Sequence, residues 1–204
     1  MGFATVGLMP TRRLFLLTIV VGVTAGLCSA QSLENATVER EEYAVYSAMI
    51  PEVYGDEESR FMMITNPTSD WPHQIPKKDF QFFYPAPVVS QETLDDFLSR
   101  NKTNRWLTRK FDLRVDYLLV DFEEIKRLIS FSNPLDDWKH FFKQYPAAHS
   151  FIHFSRVGFD EHLSQALVFA GWRCPGLCGQ WEFILLEKSN EVWKVVNRAN
   201  RIVS

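Results

Sequence analysis

Gln165-Ala166-Leu167-Val168-Phe169-Ala170-Gly171-Trp172, then Trp181-Glu182-Phe183-Ile184-Leu185-Leu186-Glu187-Lys188, then Val192-Trp193-Lys194-Val195-Val196-Asn197, are the runs that decide the fold. Each is rich in β-branched and aromatic residues and is bounded by turn signals, Cys174 to Gly179 between the first two and Ser189-Asn190-Glu191 between the last two. With Phe151 to Phe159 ahead of them, they read as an antiparallel meander. Both faces of the middle strands are largely apolar, so helices must cover one face and loops or a pocket the other.

Helical signals lie upstream. Asn35 to about Met49 reads as a helix with Thr37 as its cap, acidic Glu39, Glu41 and Glu42 after it, and Val38, Val45 and Met49 on one face; Pro51 is expected to stop it. Phe61-Met62-Met63-Ile64-Thr65 reads as a strand, and Trp71 to Pro87, with its prolines and aromatics Phe80, Phe82, Phe83 and Tyr84, as a long surface loop. Ser90 caps a helix with the stripe Leu94, Phe97 and Leu98. Asp121 caps the next, after the apolar run Tyr117 to Val120, and Glu124 completes a pattern like a capping box. Asn133-Pro134 opens a third, in which Trp138, Phe141, Phe142 and Tyr145 recur at helical spacing and belong to the core. The expected fold class is therefore α+β: helices packed on a C-terminal antiparallel β-meander in one domain, residues 31–204.

Residues 1–30 have the character of a signal peptide: Arg12-Arg13, an apolar stretch from Leu14 to Leu27, and Cys28-Ser29-Ala30 before Gln31. Thr11-Arg12-Arg13-Leu14-Phe15-Leu16 resembles the bacterial twin-arginine export signal, with Leu17 departing from its usual Lys; general secretion is the other route open to it. The apolar stretch is short of the roughly 20 residues a spanning helix needs, so contact with the membrane is expected only through an uncleaved signal. Leu27 before Cys28 disfavours a lipid anchor. The address is periplasmic or secreted.

The first 30 residues hold two of the 22 basic residues and none of the 25 acidic ones, which leaves 174 residues with a net charge of −5. That balance, with basic residues scattered, argues against nucleic-acid binding. After the signal only Cys174 and Cys178 remain, flanking Pro175-Gly176-Leu177. Pro then Gly suits a type II turn that brings the two sulfurs together, and an oxidising compartment favours a disulfide. A structural zinc would need four ligands, and there is no second Cys pair.

Ser155-Arg156-Val157-Gly158-Phe159, Gln165 to Val168, Cys174 with Cys178-Gly179, Leu185 to Lys188 and Trp193 to Val196 resemble the ending of a group of small exported bacterial proteins without assigned function. The resemblance covers about the last third of the chain. It implies bacterial export and supplies no activity.

The chemistry-bearing candidates are few. His149 and His153 have zinc-ligand spacing, but Ser150 stands where the zinc-protease pattern needs Glu; Asp160 or His162 would have to complete a site. Ser155 lies two residues from His153 with no nucleophile elbow around it. The pairs Asp95-Asp96, Glu123-Glu124 and Asp136-Asp137 suit helix first turns or exposed faces. Arg156 interrupts an apolar β run and needs a carboxylate partner or an anionic ligand. There is no phosphate-binding glycine loop, and no cofactor or metal is expected. The leading expectation is a non-catalytic exported domain that binds an unknown protein or small-molecule partner through the Trp71-to-Tyr84 loop or an open sheet face. The alternative is an exported hydrolase, possibly metal-dependent, using His149 and His153.

Overall fold

In the computed structural model the three C-terminal runs are strands β5 (Gln165–Arg173), β6 (Gln180–Ser189) and β7 (Val192–Val203), joined as an antiparallel meander. The structure describes residues 2, 17–55, 61–70, 88–129, 138–176 and 178–203. The expected loop from Trp71 to Pro87, the Asn133-Pro134 start of the third expected helix and the Asp136-Asp137 pair lie outside the described residues, whereas that helix's aromatic stretch is described. Before the meander come α1 (Leu17–Val53), β1 (Phe61–Asn66), α2 (Gln91–Arg100), β2 (Asp116–Asp121), α3 (Phe122–Leu128), α4 (Trp138–Gln144), β3 (Phe151–Phe154) and β4 (Gly158–Phe159). The fold is α+β, with a seven-stranded sheet in the order β2-β1-β3-β5-β6-β7 and β4 paired to β5.

The sheet extends beyond the meander. β3 runs antiparallel to β5, whereas β1 pairs in parallel with both β2 and β3. Parallel neighbours need long crossovers, and α2 lies between β1 and β2 in the chain, α3 and α4 between β2 and β3.

Alternation along the strands separates two faces. On one, Leu94 and Phe97 of α2 pack with Leu167, Phe169, Phe183 and Leu185. On the same face Ile125 of α3 and Trp138 and Phe141 of α4 pack with Met63, Val120 and Phe151. The other face carries Phe154, whose ring stacks on Tyr46 of α1 at 5.2 Å. Ser90 and Asp121 cap α2 and α3 as expected, accepting from Thr93 N at 3.1 Å and Glu123 N at 3.0 Å.

The chain divides into two units, one to Arg40 and one from Glu41 to Ser204. α1 passes through both, which corrects its expected start and stop. Thr37 does not cap it; its hydroxyl donates to the Leu33 carbonyl at 3.0 Å, as a mid-helix threonine does. Pro51 lies inside the last turn, and the helix ends at Tyr54 and Gly55, whose N–H groups both donate to the Ile50 carbonyl. Cys174 and Cys178 are disulfide-bonded with Cα atoms 5.5 Å apart, and Gly176 takes the positive φ of +77° that the turn reading requires.

Candidate functional site

The end of α1 and residues of five strands, β1, β3, β5, β6 and β7, border an open cavity of about 630 Å³, within the size range of small-molecule sites. Its apolar lining comes from Val53, Phe61, Met62, Met63, Ile152 and Trp172. His149, Ser150, Gln180, Arg198 and the disulfide sulfurs' residues Cys174 and Cys178 complete it. Strand alternation delivers Ile152 and Trp172 together, because they are direct cross-strand partners and so share a face.

Tyr54 also lines the cavity. Its hydroxyl is buried and has no hydrogen-bond partner among the described residues. Burial pushes the phenol well above its ordinary pKa, and the Glu182 carboxylate pushes it further, so it remains a proton donor. Glu182 is 1 % exposed and accepts two bonds from Arg198, Nε to Oε2 at 2.8 Å and Nη2 to Oε1 at 2.7 Å. This bidentate fork satisfies the carboxylate and leaves the phenol without an acceptor.

Of the catalytic candidates read from the sequence, His149 alone lines the cavity, beside the disulfide residues Cys174 and Cys178, and it is exposed. His153, one residue beyond Ile152, points to the opposite face. There it bonds to Thr65 Oγ1 through Nδ1 and packs against the rings of Phe122 (5.0 Å) and Trp181 (5.6 Å). His149 and His153 are therefore not brought together. Asp160 is occupied in its own turn, where burial would raise its carboxyl but hydrogen bonds from Gln165 and Ser164 outweigh that and lower it. Among the described residues no three His, Cys, Asp or Glu side chains are placed to hold a metal ion. Ser155 is fully buried and structural: its hydroxyl donates to the Arg156 carbonyl and accepts from Phe169 N, both at 2.9 Å.

Burial lowers the His153 pKa to about 4, with nearby Asp70 opposing the shift. The unfolded chain takes up this proton near pH 6.5 and the folded one only near 4, so stability is full above pH 6.5 and falls as the pH drops through that window. The linkage amounts to about 3 kcal/mol. Urea unfolding at pH 7 and pH 4.5 should show a smaller acid loss for His153→Gln than for the native chain. Identical acid losses would mean that the imidazole is not held neutral.

Arg156 lies in a different cluster, one that sequence reasoning reached only in part. Glu42 of α1, 1 % exposed, receives Arg100 Nη2 at 3.1 Å and Arg105 Nη1 at 3.0 Å, with Arg156 Nε at 3.7 Å. Val157 N donates to its other oxygen at 3.1 Å, and Tyr46 OH lies 3.3 Å from it. Glu42 reads in the sequence as one of the acids that open a helix, and its arginine partners lie 58 residues or more away along the chain.

The known protein families, curated proteins and solved structures compared with this chain give no match.

Proposed function

We propose that the body from Glu41 onward is a non-catalytic ligand-binding domain whose cavity takes a small molecule with an apolar body and a hydrogen-bond acceptor. The observation that carries this reading is the buried, unpartnered hydroxyl of Tyr54, a residue in the wall of a cavity whose lining is part apolar and part polar. A buried donor without an acceptor costs roughly 1–3 kcal/mol, a penalty that a ligand acceptor would remove. The domain works outside the cytoplasm, a proposal supported by the signal-like first 30 residues and by the disulfide on the cavity wall. No helix among the described residues is long and apolar enough to cross a membrane. The net negative charge favours a partner other than nucleic acid.

The probe 1-anilinonaphthalene-8-sulfonate combines an apolar body with an acceptor group. Its fluorescence should rise saturably on titration with the full chain, and Ser150→Trp, which places a ring in the cavity lining, should weaken binding by about tenfold or more. Tyr54→Phe should act in opposite directions on two readouts. It should raise the unfolding free energy by about 1 kcal/mol, because the orphan hydroxyl is gone, and weaken probe binding several-fold. Probe binding unchanged in both variants would refute the cavity as the binding site.

A further inference from the structure

We propose that Arg100, Arg105 and Arg156 form a second binding site, for a tetrahedral oxyanion: free phosphate or the phosphate group of a small ligand. It is separate from the cavity and does not depend on the reading given above. Glu42 brings a single carboxylate to three guanidinium groups. It is 1 % exposed, while the arginine side chains keep 16 %, 27 % and 20 % of their surface open. An incoming anion would therefore meet the guanidinium groups before the carboxylate.

Arg156 is the least satisfied of the three. A guanidinium has five donors, yet among the described residues its side chain makes no hydrogen bond, only the 3.7 Å ion pair with Glu42. Its Nε and that of Arg100 are buried without a hydrogen-bond acceptor. Asp96, the other nearby carboxylate, stands 3.9 Å from Arg100 Nε and already accepts Phe159 N at 2.8 Å. Burial pushes the Arg156 guanidinium below its ordinary pKa; Glu42 opposes this, and Arg100 and Arg105 add to it. A bound anion would relieve that mutual repulsion.

The cations are also preorganised from the backbone outward, which reduces the ordering cost of binding. Arg156 N donates to Asn101 Oδ1 at 2.8 Å while Asn101 Nδ2 donates back to the Arg156 carbonyl at 3.0 Å. Arg105 N donates to Thr68 Oγ1 at 2.9 Å, and its carbonyl accepts Thr68 N at 2.9 Å. Arg100 closes the last turn of α2. Three forks held on three segments suit the several oxygens of a phosphate better than a flat carboxylate.

Calorimetric titration of the full chain with inorganic phosphate at low ionic strength should give one saturable site. Arg156→Gln should weaken it at least tenfold, Arg156→Lys several-fold, and Lys194→Gln, at an exposed lysine outside the cluster, not at all. Ser150→Trp should leave phosphate affinity unchanged, which separates this site from the cavity. Phenyl phosphate binding at least as tightly as inorganic phosphate would identify the source as a phosphomonoester, and the reverse order as the free ion. If Arg156→Gln fails to fold, Arg156→Lys carries the test. No saturable heat, an equal loss in Lys194→Gln, native affinity in the Arg156 variants that fold, or tighter binding of acetate than phosphate would each overturn the proposal.

Discussion

Glu42→Ala is expected to lower the unfolding free energy by about 3–5 kcal/mol, because it removes one partner of a buried charge cluster and leaves the other charges behind. The arginines would lose the carboxylate they share, Val157 N would lose its acceptor, and three like charges would face one another. For a body of this length the melting temperature should fall by about 10 °C. Chemical denaturation of the native chain, Glu42→Ala and Glu42→Gln measures it. The glutamine retains an acceptor oxygen and should lose less. A loss under 1 kcal/mol for alanine would mean that water satisfies the arginines without Glu42.

Gly158→Ala should cost about 3 kcal/mol, the upper end of ordinary overpacking. A Cβ there would sit 2.3 Å from the Cα and 2.4 Å from the N of Phe97, which belong to helix backbone and cannot rotate aside. α2 would have to lift from β4, disturbing Phe97, fully buried against the Phe183 ring, and the bond from Phe159 N to Asp96. Gly176→Ala is the comparison: its Cβ meets nothing within 4 Å, so only the positive φ opposes it, at about 1 kcal/mol. Equal losses in the two variants would show that α2 yields freely. Near-UV circular dichroism should report the displaced aromatic packing in Gly158→Ala alone.

Local signals made the meander and two helix caps legible. The apolar runs after Gln165 alternate with short turns, and Ser90 and Asp121 act on N–H groups two or three residues away. The parallel pairing of β1 with β2 and β3 left no such trace, since Met63 meets Leu118 only after a crossover of some fifty residues. Pro51 misled because a proline near the C-terminus of a helix need not end the helix at the residue before it. Tyr54 and Arg198 were missed because the cavity gathers residues from distant segments, and a lone Tyr after a helix carries no sign of burial. Arg156 was visible, as a charge inside an apolar run, but its partner was not. In the sequence Glu42 is one acid among several on α1.

Glu41 and Glu42 together also determine how α1 is clocked about its own axis. Successive helix residues are turned by about 100°, and the two neighbours serve different partners. Glu41 accepts the Trp193 indole N–H at 2.9 Å and pairs with Lys188 at 3.1 Å, while Glu42 serves the arginines. A slip of α1 by one position would carry Glu41 toward the arginines' place but leave Arg40 where the indole and lysine need an acceptor. The pair thus works as a keyway, reinforcing with charge the one rotational setting that the fully buried Tyr46, Met49 and Ile50 give the helix.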